Sequence, residues 1–204
     1  MIAMNKFSFK ALLASAVMAF AVSSAGAAEV GGVKFDDKMK VGGKELVLNG
    51  LGLRTKFFVK VYAAGLYLTE KQSTPEGVLK ADGPRRMRLV MMRDTSSDEF
   101  GNAFMKGLND NVSNSDKMKV VGQISKFGEM FALLEGLKKG DVLDLDWVPG
   151  VGTQNMLNGK QIGEVTQDQT FYNAVLRIWL GEKPVDNALK PKLLAPAAAP
   201  ADKK

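Results

Sequence analysis

Residues 50–68 read Gly50-Leu51-Gly52-Leu53-Arg54-Thr55-Lys56-Phe57-Phe58-Val59-Lys60-Val61-Tyr62-Ala63-Ala64-Gly65-Leu66-Tyr67-Leu68. The second part of this stretch, residues 57–68, is apolar almost throughout and rich in aromatic and β-branched side chains. Such a run suits a strand that is covered on both faces. A glycine inside it, Gly65, marks a bend or a place where another group comes close to the backbone. The glycines at 50 and 52 lead into the strand past Arg54, a cation placed just before the buried run.

On the N-terminal side, segments 33–39 and 44–48 read as strands around Val41-Gly42-Gly43, a hairpin turn. On the C-terminal side, Ser73-Thr74-Pro75-Glu76 has a hydroxyl cap, a proline at the first position and an acid in the first turn, so a short helix is expected to run to about Gly83-Pro84. Residues 85–93 form the next expected strand, with Met87, Leu89 and Met91 on one face and Arg86, Arg88, Val90 and Met92 on the other. Helices follow. Ser97 with Asp98 and Glu99 opens one whose apolar stripe is Phe100, Ala103, Phe104, Leu108 and Val112. A second spans about 116–137, with Gly122 and Gly128 as breaks. Strands return at 142–148, 153–157 and 160–165, the last two joined by Asn158-Gly159, a strong hairpin signal. An amphipathic helix over 167–180 carries Phe171, Val175, Ile178 and Trp179 and stops at Gly181. Lys183-Pro184-Val185-Asp186 starts a last short helix. Strands, then helices, then hairpins and a helix predict an α+β chain: one large antiparallel sheet with a layer of helices on one face.

The ends set the compartment. Lys6 and Lys10 precede an uncharged segment that closes in Ala25-Gly26-Ala27-Ala28, a small-residue cleavage pattern. That apolar segment is about 15 residues long, short of the roughly 20 needed to span a bilayer. A retained anchor is the alternative, but polar, glycine-rich sequence follows at once. Residues 1–28 are therefore expected to be a signal peptide, 29–193 one domain, and the Ala/Pro-rich 194–204 a disordered tail. The expected location is periplasmic or secreted, with no membrane span in the mature protein.

Composition narrows the chemistry. The chain has no Cys and no His, which excludes disulfides, thiol and Ser-His-Asp chemistry and the usual zinc and copper sites. No calcium-loop pattern occurs, Asp144-Leu145-Asp146 reads as a strand face, and no cofactor or metal is expected. Removing Lys6 and Lys10 from 28 basic residues, against 22 acidic ones, leaves the mature chain a mild +4. Arg85, Arg86, Arg88 and Arg93 make its one local basic cluster, which fits an exposed strand face as well as an anion site. Without a basic stripe or a recognisable module, nucleic acid is not an expected partner.

Four stretches, in order, carry a family resemblance: 50–56; Val61-Tyr62-Ala63-Ala64-Gly65-Leu66-Tyr67; Trp147-Val148-Pro149-Gly150-Val151-Gly152-Thr153; and Ile178-Trp179-Leu180-Gly181-Glu182-Lys183-Pro184-Val185-Asp186. Together they resemble the chalcone isomerase-like family, in particular its exported bacterial members and its plastid fatty-acid-binding members. The resemblance implies an open-faced β-sandwich with a cleft between sheet and helices that holds a flavonoid or a fatty acid. It also implies that Arg54 and Tyr62 bind the ligand: Arg54 holds a carboxylate and Tyr62 adds a donor. On the residues alone, the more ordinary reading is that Arg54 caps a loop and Tyr62 sits in the core. The catalytic members carry a Tyr and an Asn on the helix after the Arg-rich strand. Here Glu99 or Phe100 falls at the first position and Lys106 at the second, and Tyr62 replaces a cleft Thr, which argues against ring closure. The expected function is a non-catalytic binder of a small amphipathic carboxylate, a fatty acid foremost, with Met and Phe side chains lining a deformable cleft or serving as ordinary core. The alternatives are an intramolecular lyase and an assembly protein whose cleft is closed.

Overall fold

The computed structural model describes residues 26–197; residues 1–25 of the expected signal peptide 1–28 and residues 198–204 of the expected tail 194–204 lie outside them. Two strands, β1 (Ala27–Val30) and β2 (Val33–Asp36), form a small hairpin. Seven more build one antiparallel sheet in chain order: β3 (Lys38–Val41), β4 (Lys44–Lys56), β5 (Val59–Leu68), β6 (Arg85–Met91), β7 (Val142–Val148), β8 (Gly152–Leu157) and β9 (Lys160–Thr166). Helix α1 (Pro75–Lys80) joins β5 to β6. Helices α2 (Ser97–Asn111) and α3 (Asn114–Ala132) join β6 to β7, and α4 (Gln169–Leu180) and α5 (Lys190–Leu193) follow β9. This is the expected α+β open-faced sandwich.

Alternation along the strands decides which side chains meet the helices. Met87, Leu89 and Met91 of β6 and Leu143 and Leu145 of β7 are buried in one cluster with Phe100, Phe104, Val175, Ile178 and Trp179. Each large apolar side chain taken out of water there contributes about 1.5–3 kcal/mol. A smaller cluster, with Phe35, Leu46, Leu48, Ala63 and Tyr67, lies on the other face, where the β1–β2 hairpin covers the sheet. β5 is thus buried on both sides, and Gly65 is its close-approach point: a Cβ there would stand 2.7 Å from the Phe35 ring. Gly65→Ala is expected to lower the unfolding free energy by about 1–3 kcal/mol. Urea denaturation should show less than additive loss when Phe35→Leu is added, because the smaller side chain makes room.

The glycine pair before Arg54 has a packing cause. Helix α5 lies directly on β4: a Cβ on Gly50 would be 2.4 Å from the Lys192 carbonyl oxygen, and one on Gly52 2.8 Å from a Leu189 methyl. Asn49, buried at the bulge beside them, donates to the carbonyls of Leu193 and Gln72 and accepts from the Gln72 amide. The Ala195 amide donates to the same Gln72 carbonyl, so packed structure continues past 193 to Ala195.

Several local expectations shift. Phe57 and Phe58 are not strand interior; they form an exposed two-residue turn at positive φ. The caps of α1 and α2 are Thr74 and Ser96, each accepting from the amide three residues on. The kink in α3 falls at Val120 (φ −119°, ψ 17°) rather than at Gly122 or Gly128, and the helix ends at Ala132. Residues 183–186 are not helical, because the Asp186 carboxylate is used across space: it accepts from the amides of Thr55, Ala188 and Leu189.

The arginine cluster divides by strand parity. Arg85 points into the helix side and is fully buried, donating to the carbonyls of Val78 and Leu79 at the end of α1 and to Asn173. Arg86 and Arg88 point the other way and meet the β7 face read in the sequence. Arg86 is bidentate to Asp146 at 2.6 Å twice, Arg88 is bidentate to Asp144 at 2.7 and 2.8 Å, and Arg86 also reaches Asp144 at 3.2 Å. Arg93 pairs with Glu99. Arg86, Arg88 and Arg93 are thus committed to carboxylates of the chain, whereas Arg85 bonds through Nη1 alone and its buried Nε and Nη2 have no partner among the described residues.

Candidate functional site

Arg54 and Tyr62 are opposite each other in the β4–β5 ladder, so their side chains share the helix-side face. The Arg54 guanidinium carbon lies 5.4 Å from the centre of the Tyr62 ring, within cation–π range. Tyr62 is buried, and its oxygen accepts from the Trp179 indole N–H at 2.8 Å. Among the described residues the Tyr62 hydroxyl donates to nothing, so its proton remains available. Burial pushes its pKa up, against the opposing pull of Arg54, which keeps Tyr62 a neutral donor at ordinary pH. Among the described residues Arg54 has no carboxylate partner, unlike Arg86, Arg88, Arg93 and Arg177.

Arg54 stands at a junction. Outward lies an open groove of about 800 Å³ between α2 and the segment 182–187, with Lys56, Lys106 and Lys183 among its walls. Inward lies an apolar slot of about 10 Å³, where Tyr62 meets Phe100 and Phe104 of α2, Ile178 and Trp179 of α4, and Val185. A volume of this size holds one water at most. The slot is filled by aromatic packing: Phe104 stacks on Phe127 at 4.4 Å between ring centres, and Phe100 and Phe104 both touch Phe131. Gly107 lets α2 settle this close, since a Cβ there would be 2.7 Å from an Ile178 methyl. As packed, the slot has no room for a hydrocarbon chain.

Another groove of about 730 Å³ lies near the ends of α1, α2 and α4. Its arginine, Arg177, is already paired with Asp116, and neither Arg54 nor Tyr62 reaches it.

A family model for chalcone isomerase-like proteins matches residues 27–195. The chain belongs to the chalcone isomerase-like family. No match is found among curated proteins. Among solved structures, a fatty-acid binding protein of Arabidopsis thaliana is similar, with a TM-score of 0.65 and 16% identity over 82% of this chain and 95% of that one. At that identity the likeness establishes the fold.

With the family in view, the positions expected at its cleft can be placed. Arg54 and Tyr62 come together as the motif implies. Glu99 lines the outer groove but is turned to Arg93, which, with Lys56 and Arg54 nearby, holds its carboxyl below the usual range. Phe100 lines the slot and offers no polar atom. Lys106 is exposed in the groove and pairs with Asp110. Sequence reasoning placed Trp179 only on the apolar face of its helix; its indole N–H in fact orients the Tyr62 hydroxyl. Asp186, which fixes the groove wall to β4, also carried no local signal, since its partner Thr55 is 131 residues away.

Proposed function

We propose that this protein is an exported, non-catalytic binder of a fatty acid or a similar amphipathic carboxylate. The observation that carries the reading is Arg54: a half-buried guanidinium with no carboxylate partner among the described residues, set where an open groove meets an apolar slot. A carboxylate at the junction would take two parallel N–H bonds from Arg54 and, if it sank further, one O–H bond from Tyr62. The hydrocarbon chain would replace Phe–Phe contacts with Phe–methylene contacts, an exchange of one apolar partner for another. The fatty-acid binding of the similar Arabidopsis protein supports the same reading.

Ring closure of a flavonoid precursor has little support from the site. The oxyanion that develops on the ketone needs placed donors. Glu99 would repel it, Phe100 can donate nothing, and Lys106 is engaged in the solvent-facing wall. The filled slot favours a second reading, an assembly or interaction protein with a permanently closed cleft.

Native mass spectrometry of protein purified from the host's own exported fraction, followed by lipid extraction, separates these readings. Binding predicts a co-purifying carboxylate whose mass shift disappears on extraction, and chalcone absorbance that decays no faster with the protein than in buffer. A consistently bare mass that survives incubation with long-chain fatty acids would favour the closed cleft. A chalcone decay rate well above buffer would make the protein a lyase.

A further inference from the structure

The β4–β5 turn is unlike the other two-residue turns of the fold. Those use Gly31-Gly32, Gly42-Gly43 and Asn158-Gly159 at positive φ, residues suited to that region. The β4–β5 turn places Phe57 at φ 48° and Phe58 at φ 65°. Bulky side chains are strained there, and these two gain no packing in return: Phe57 is 86% and Phe58 101% exposed, with Val59 beside them at 50%. An aromatic pair held out at a conformational cost has its use outside the folded chain.

The flanks indicate what it meets. The register sets Lys56 against Val59 and Lys60 against Thr55, so one exposed lysine lies on each face of the hairpin tip. Aromatic rings settle at the headgroup level of a bilayer, and ammonium groups are drawn to anionic headgroups there. A two-residue convex tip is also far smaller than the roughly 800 Å² per partner that a stable protein interface buries, whereas shallow insertion into lipid needs no matching pocket. The finger is continuous with the groove: Arg54, Thr55 and Lys56 lie on its root and line the groove wall, and the Thr55 amide is fixed to Asp186.

We infer that the Phe57-Phe58 hairpin is a finger that docks the protein on an anionic bilayer and sets the groove mouth at the headgroups. Docking stands on the finger alone; that it delivers an acyl chain to Arg54 rests on the carrier reading. Co-sedimentation with phosphatidylglycerol–phosphatidylethanolamine vesicles, against phosphatidylcholine vesicles, tests it. The protein should bind the anionic vesicles, less so as salt rises. Phe57→Asn/Phe58→Gly should weaken that binding by about tenfold or more, and Lys56→Gln/Lys60→Gln by a similar factor. The Asn-Gly variant should melt no lower than the parent, because its turn is relaxed, and should bind fatty acid unchanged in vesicle-free solution. A parent that ignores anionic vesicles, an Asn-Gly variant that binds them equally, or a dimer lost in that variant without vesicle binding would each overturn the finger. Intact docking with no fatty-acid binding would instead strike the carrier reading and leave the finger standing.

Discussion

Arg86→Ala is expected to cost about 3–5 kcal/mol of unfolding free energy at neutral pH. Arg86 holds Asp146 through two 2.6 Å bonds, and the two side chains are only 14% and 5% exposed. Removing the guanidinium leaves the buried Asp146 without its ion-pair partner beside the like charge of Asp144, since Arg88, though near enough to pull its pKa down, is bonded to Asp144. Burial already pushes the Asp146 carboxyl up, with Arg86 opposing the rise. Without Arg86 the folded-state pKa climbs further above the unfolded value. Between those two values the folded variant binds a proton that the unfolded chain does not, so its stability falls as pH rises. The deficit relative to the parent should therefore shrink as pH drops toward about 4, the ordinary carboxylate range, and grow toward neutrality. Urea titrations of both proteins across that interval check it. A deficit that stays constant with pH would mean that Asp146 finds another partner.

Arg54→Ala should weaken binding of long-chain carboxylates by about 10–150-fold, the equivalent of losing charge-assisted hydrogen bonds worth about 1.5–3 kcal/mol. Tyr62→Phe should cost less, about 0.5–1.5 kcal/mol, because it removes one neutral donor. It also leaves the Trp179 indole N–H without its acceptor, so part of any loss belongs to the slot wall rather than to the ligand. Arg54→Lys should recover only part of the affinity, since an ammonium keeps the charge but not the planar fork. Displacement of a fluorescent fatty acid measures all three variants. Equal losses for Arg54→Ala and Tyr62→Phe would move the head group from the junction to the phenol.

The sheet was legible because its strands carry their own signals: alternation in β6, Asn158-Gly159 between β8 and β9, and a doubly buried β5 with its one glycine under Phe35. Phe57-Phe58 misled the same reading. A turn without Gly, Asn or Pro looks like more strand when only apolarity is counted, and the residues that break the usual turn chemistry are those proposed here to face lipid. Arg86 and Arg88 could be assigned a face but not a partner, since Asp144 and Asp146 are 56 and 60 residues away. At the site, the pairing of Arg54 with Tyr62 came from the family pattern on adjacent strands. The filled slot did not, because it depends on how α2, α3 and α4 settle together. Gly107 controls that approach, yet in sequence it is only one more glycine within a helix.

The central claim is that Arg54 recognises the charged head of an acyl ligand. The most direct measurement is a paired titration of hexadecanoate and its methyl ester, which share a chain and differ in charge, against the parent and Arg54→Ala. The parent should prefer the acid by about tenfold or more, and the preference should all but vanish in Arg54→Ala. Equal affinity of the parent for acid and ester, or a preference that survives the loss of Arg54, would contradict the account.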